Sequence, residues 1–183
     1  KGYRYIHSGD EPDLISGVAT HTLEILNDLP ETEIIIVPVG GGSGAAGSCL
    51  AAKTINPDIK VIGVQAKNAP AAYLTWKNKA YTEANMSTFA EGVATRVPFM
   101  LPQSILWKYL DDFILVDEDE IQKSIALFYK YTHNIAEGAA ATTLAAAQQI
   151  KDTIKDKNTV LIMSGGNLSS ENLKKVFNND YSN

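Results

Sequence analysis

Ile34-Ile35-Ile36-Val37-Pro38-Val39 runs straight into Gly40-Gly41-Gly42-Ser43-Gly44, and this junction constrains the fold more than any other stretch of the chain. An unbroken apolar run rich in β-branched residues reads as a strand covered on both faces, because a strand with one wet face alternates apolar with polar residues. The glycines then break the strand. Lacking β-carbons, they let the backbone turn tightly and aim several N–H groups at one point. Residues 45–55 are rich in small side chains and read as a helix that opens at this turn.

The same strand-then-helix alternation recurs. Residues 60–65, 113–116 and 159–163 are the other apolar, β-branched segments, and helices are expected at 14–26, 71–79, 104–110, 139–150 and 170–177. Asp117 is placed to cap a further helix with Glu118, Asp119 and Glu120 in its first turn, where the helix dipole favours carboxylates. Strands separated by helices imply an α/β chain with a mostly parallel sheet flanked by helices on both faces. Such sheets bind ligands beyond the carboxyl ends of their strands, and two glycine-rich breaks, after Val39 and after Met163, lie there.

Composition narrows the function. With 45% hydrophobic and 20% charged residues, the 183-residue chain is globular rather than disordered. A net charge of −5 with no basic cluster argues against nucleic acid and against an anionic membrane surface. No apolar run approaches the ~20 residues needed to cross a bilayer. A single cysteine, Cys49, cannot form an internal disulfide and fits a reducing, cytoplasmic setting. No signal peptide is visible, and because residue 1 is lysine rather than methionine, an upstream start is expected.

The Gly40–Gly44 loop, with the positive end of a helix behind it and the Ser43 hydroxyl beside it, is a socket for a phosphate. Gly42-Ser43-Gly44-Ala45-Ala46-Gly47 also fits the dinucleotide pattern G-x-G-x-x-G, but the next strand ends in Gln65 where that pattern expects an acidic residue for the ribose. A nucleotide P-loop would end in Gly-Lys-Ser/Thr, whereas Gly47 is followed by Ser48 and Cys49. A single phosphomonoester fits better than a nucleotide. Ser164-Gly165-Gly166-Asn167 forms the second break: its glycines admit a planar ligand, Ser164 offers a neutral hydroxyl, and Asn167 is expected to brace the turn through its amide.

Together these motifs resemble the fold-type-II (tryptophan synthase β-like) pyridoxal-phosphate enzymes, and most closely their threonine/serine dehydratase and serine racemase branch. The phosphate-loop resemblance spans residues 37–47. Gly9-Asp10-Glu11-Pro12 begins a segment similar to the one leading into that loop; Ala90-Glu91-Gly92-Val93-Ala94, Ala136-Glu137-Gly138-Ala139-Ala140 and Met163-Ser164-Gly165-Gly166-Asn167 follow in family order. The resemblance implies pyridoxal 5′-phosphate as cofactor. Gly40, Gly41, Gly42, Ser43 and Gly44 would hold its phosphate, and Ser164 would meet the ring nitrogen through a neutral hydrogen bond. Gly92 would lie beside the imine side, and Glu137 near the ring. The implied reaction converts L-threonine or L-serine to a 2-oxo acid and ammonia, with racemisation or β-replacement on the same scaffold, or a non-catalytic phosphate-ligand module, as alternatives.

The family's Schiff-base lysine lies in an N-terminal Ser-Phe-Lys-type motif that is not found in this sequence. Lys53, Lys60 and Lys67 stand at helix or strand ends and read as solvated. Residues 1–183 are therefore expected to be a C-terminal portion holding most of the cofactor domain, inactive alone and partnered by the missing N-terminal half, in what is commonly a homodimer. No metal site is expected. His7, His21 and His133 have no ligand spacing and read as surface or packing residues, and Gln65 stands where some family members place a metal-binding glutamate. Cys49 reads as a small buried apolar residue, and Tyr73, Trp76, Trp107 and Tyr109 as packing aromatics.

Overall fold

The computed structural model describes residues 2–178. Four parallel strands, β1 (Ile34–Pro38), β2 (Lys60–Ala66), β3 (Asp112–Val116) and β4 (Thr159–Leu161), form one sheet in the order β3-β2-β1-β4. The strand predicted to run to Met163 pairs only as far as Leu161, with Ile162 N–H still donating to Ile36 O at 3.0 Å before the glycine turn begins.

Alternate residues of the central strand serve opposite faces. Ile34 and Ile36 pack with α6 (Glu118–Thr132), α7 (Gly138–Gln149) and α9 (Ser170–Asn178); Ile35, Val37 and Val39 pack with α1 (Pro12–Val18), α2 (Thr20–Asp28), α3 (Ser43–Ile55), α4 (Ala71–Asn78) and α5 (Met100–Tyr109). Ile35 and Ile36 are wholly buried, and burying each such side chain stabilises the fold by roughly 1.5–3 kcal/mol. The short helix α8 (Lys151–Ile154) follows α7 without a sequence signal of its own. The alanines of α7 allow it to lie directly on the sheet, with Ala140, Ala141 and Ala146 fully buried.

Three boundaries differ from expectation for identifiable reasons. The helix predicted over 14–26 divides at Ala19, because α3 comes close there: a β-carbon on Gly47 would sit 2.9 Å from Ala19 N and 3.1 Å from Ile15 O. Helix α5 begins at Met100 rather than near 104, since its first turn receives a cap from far away, Leu101 N–H donating to Asp10 Oδ1 at 2.8 Å. Residues 91–93 form a single 3-10 turn. The predicted cap of α6 is present as a full capping box, with Asp117 N–H donating to Glu120 Oε2 at 2.7 Å.

The aromatic residues pack as expected. Trp76 Nε1 donates to Leu106 O and Trp107 Nε1 to Thr75 O, each at 3.1 Å, so α4 and α5 clasp reciprocally, and Tyr73 meets Phe113 edge-on. Lys53 is not solvated as predicted. Its side chain is only 15% exposed, paired with Asp111 at 2.7 Å and donating to Ile59 O at 2.7 Å. Among the described residues no helix is long and apolar enough to cross a membrane.

Candidate functional site

The glycine loop leaves β1 at its carboxyl end, after Val39 N–H has donated to Val64 O at 2.7 Å. Gly42 stands at φ 94°, the left-handed region open to glycine, and caps α3. The first intrahelical bond of α3 runs from Ala46 N–H to Gly42 O at 2.8 Å. The N–H groups of Ser43, Gly44 and Ala45 precede it and have no acceptor within the helix. A β-carbon on Gly44 would meet nothing within 4 Å, so the space in front of these donors is open. Free donors, a helix N-terminus and an unobstructed approach suit an anion, and they fit the phosphate of the cofactor that the sequence implies.

Ser43 and Gly44 share a cavity of about 690 Å³ with Ser164, which follows β4, and with His21 on α2. Glu24 and Asp28 line the same cavity from further along α2. The structure thus brings the α3 end of the loop and the predicted ring-nitrogen serine to one space. Ser164 is exposed there, its hydroxyl accessible to a ligand.

Gly92 and Glu137 lie on a neighbouring cavity of about 430 Å³ together with Asn167. Close contacts tie the two glycine-rich breaks to this region. A β-carbon on Gly40 would fall 2.2 Å from Gly92 O, one on Gly92 would lie 3.3 Å from Glu137 Oε1, and one on Gly165 would lie 2.9 Å from the same oxygen. Gly40 thus stands against the Gly92 backbone, and Gly92 and Gly165 both stand against the Glu137 carboxylate. Gly41 belongs to another contact, against the Phe99 ring, which its β-carbon would meet at 2.3 Å.

Glu137 is the N-cap residue of α7, but its carboxylate does not cap that helix. Its Oε2 accepts from Asn167 N–H at 3.2 Å while its own N–H donates to Gly165 O at 3.0 Å. The turn after β4 is thus braced by the Asn167 backbone and Glu137, where the sequence pointed to the Asn167 side-chain amide.

Sequence reading missed four contributors. His21 faces the cavity with both ring nitrogens engaged: Nδ1 faces Val18 O, and Nε2 lies 3.0 Å from Ser48 Oγ, which also receives the Thr22 hydroxyl at 3.0 Å. A carbonyl only accepts, so Nδ1 carries a proton toward Val18 O. The other three are Phe99, Gln65 and Thr95. Gln65 is fully buried, and Thr95 Oγ1 donates to Gly40 O at 3.5 Å. No local signal marks their place at the site, because Ser48, Val93, Gly40 and Gly41, the partners that matter there, lie 27 or more residues away. His7 is a turn acceptor, its Nδ1 receiving the N–H groups of Gly9 and Asp10. Among the described residues no group of three or more His, Cys, Asp or Glu side chains is arranged to hold a metal ion. Cys49 is buried, and burial, with the nearby Asp111 charge, pushes its thiol up to about 12.

Residues 1–165 match the family described as pyridoxal-phosphate dependent enzyme. The chain is 35% identical over 178 residues to an L-threonine ammonia-lyase of Thermotoga maritima, covering 97% of this chain and 44% of that protein. It is 35% identical over 180 residues to a serine racemase of Dictyostelium discoideum, covering 96% of this chain and 55% of that protein. The solved structure of the processed form of threonine deaminase isoform 2 from Solanum lycopersicum superposes with a TM-score of 0.91 at 33% identity, covering 97% of this chain and 52% of that one. The chain spans about half the length of the curated relatives it matches.

Proposed function

The chain belongs to the pyridoxal-phosphate-dependent enzyme family, and from that membership we propose that it is the cofactor-holding portion of an ammonia-lyase acting on L-threonine or L-serine. The observation that carries this reading is the shared cavity: the free donors at the start of α3 and the Ser164 hydroxyl open onto one space.

When bound, pyridoxal 5′-phosphate supplies an electron sink for the charge left as an amino acid loses its α-proton. Gly40, Gly41, Gly42, Ser43 and Gly44 would seat the phosphate through backbone N–H groups and the helix end. Ser164 would offer the ring nitrogen a neutral hydroxyl, which holds no full proton on the ring and keeps the sink mild, suited to expelling a β-hydroxyl. Gly92 would leave room beside the reacting edge, and Glu137 would hold the turn that presents Ser164. The reactive lysine would come from sequence outside these residues, so the 183-residue chain binds cofactor without turnover. A cytoplasmic homodimer that includes the N-terminal half is the working assembly of this reading.

Similarity to the Dictyostelium discoideum serine racemase favours a second reading, racemisation, on the same site. Product analysis separates the two: the protein containing this chain should release 2-oxo acid and ammonia from L-threonine and L-serine, whereas a racemase yields D-serine. Cofactor binding is testable on the chain itself. Titration calorimetry with pyridoxal 5′-phosphate should show binding that Gly44→Asp abolishes, since position 44 lines the cavity with open space at its β-carbon and a carboxylate there repels the phosphate. Undiminished affinity in that variant would overturn the assignment of the loop.

A further inference from the structure

Gln65 is among the largest fully buried side chains and is wholly polar at its tip. Such a group is retained in a core only where its hydrogen bonds are made, and it makes three. Its Oε1 accepts from Tyr73 N–H at 3.1 Å in the first turn of α4, whose N-cap, Pro70, supplies no side-chain cap. Its Nε2 lies 3.4 Å from Val93 O and 3.4 Å from Thr95 Oγ1. The Thr95 hydroxyl in turn donates to Gly40 O. The segment held in this way is the one whose Gly92 carbonyl lies against Gly40.

We propose that Gln65 is a positioning residue for the phosphate seat, acting through Val93, Thr95 and the Gly40 carbonyl. Gly40-Gly41 is a trans peptide, so its C=O and N–H point in opposite directions. Holding Gly40 O on the Thr95 side fixes Gly41 N–H on the other side, at a glycine pair that no side chain of its own would restrain. The strut is electrically neutral, so it adds no charge that would repel the bound dianion. A carboxylate at this position could not donate to Val93 O or Thr95 as the amide does.

This inference rests on the reading of residues 40–44 as a phosphate seat, and the test separates the two. Dissociation constants for pyridoxal 5′-phosphate and for pyridoxal are measured on the 183-residue chain, in wild type, Gln65→Met and Thr95→Val, with the thermal midpoint of each. The ratio of the pyridoxal constant to the pyridoxal 5′-phosphate constant reports the seat alone. It should fall about tenfold in both variants, the effect of one well-placed hydrogen bond. A lower midpoint with the ratio kept within about twofold of wild type would show that Gln65 only supports the fold, and would overturn the proposal. Should Gln65→Met not fold, Thr95→Val decides, because it cuts the same relay one link nearer the loop. A wild-type chain that does not prefer the phosphorylated compound would remove the seat itself, and the proposal with it.

Discussion

Gly40 and Gly92 touch backbone to backbone: a β-carbon at position 40 would fall 2.2 Å from the Gly92 carbonyl oxygen and 3.4 Å from Val93 Cα. Neither neighbour is the movable end of a side chain, so a methyl group can be accommodated only by shifting the 91–95 segment. Gly40→Ala is therefore expected to destabilise the chain by about 2 kcal/mol, within the range for overpacked sites, measured by urea unfolding. A cost below a few tenths of a kcal/mol would mean that the two segments are not in contact in solution.

Gly44→Ala should behave in the opposite sense. Position 44 lies inside the first turn of α3 with nothing within 4 Å of its β-carbon. Alanine there restricts the unfolded chain and favours the helix, so stability should rise by roughly 0.5–1 kcal/mol. The added methyl projects toward the open donors, so affinity for pyridoxal 5′-phosphate should fall. A variant that is more stable yet binds as well as wild type would move the seat away from Gly44.

The pair Lys53–Asp111 is a structural tie that the sequence does not announce. Asp111 Oδ2 accepts from Val61 N–H at 2.7 Å and meets Lys53 Nζ at the same distance, fixing α3 to the β2 end of the sheet. Asp111→Ala takes the counter-charge from a largely buried ammonium that keeps its bond to Ile59 O, and leaves the Val61 N–H without an acceptor, so it should cost about 2–3 kcal/mol in chemical denaturation. Lys53→Met removes the ammonium but leaves Asp111 its backbone donor, and should cost clearly less. Equal losses would show that the ion pair, not the Val61 bond, dominates.

How much of this was legible depends on how local each cause is. The run of β-branched residues before Gly40 identifies a doubly covered strand by itself, and β1, β2 and β3 fall within a residue or two of their predicted places. Asp117 and Glu120 announce the start of α6 within four residues. In the fold Gly92 stands against Glu137, and Ser164 shares its cavity with Ser43 and Gly44. What escaped is non-local. The break at Ala19 is imposed by Gly47, the early start of α5 by Asp10, and the support of the glycine loop by Gln65 and Thr95. No window of neighbouring residues contains such pairs, and only the folded topology creates them. His21 shows the same limit, since its partner Ser48 lies 27 residues away.

Cys49 gives a prediction in pH. Desolvation in the α3 core is the main cause of its raised pKa, with the Asp111 charge second, and together they carry the thiol from 9.0 to about 12. The folded chain thus keeps the proton that the unfolded chain releases. A group raised in this way contributes its full stabilisation below about pH 9 and loses it as pH climbs toward about 12. Other groups titrate in that window, so the informative quantity is the difference between wild type and Cys49→Ala. Relative to the variant, wild-type stability should decline by up to ~1.4 kcal/mol per pH unit between pH ~9 and ~11. Parallel curves for the two proteins across that interval would mean that the thiolate is as well solvated in the fold as outside it, contrary to its buried place in α3.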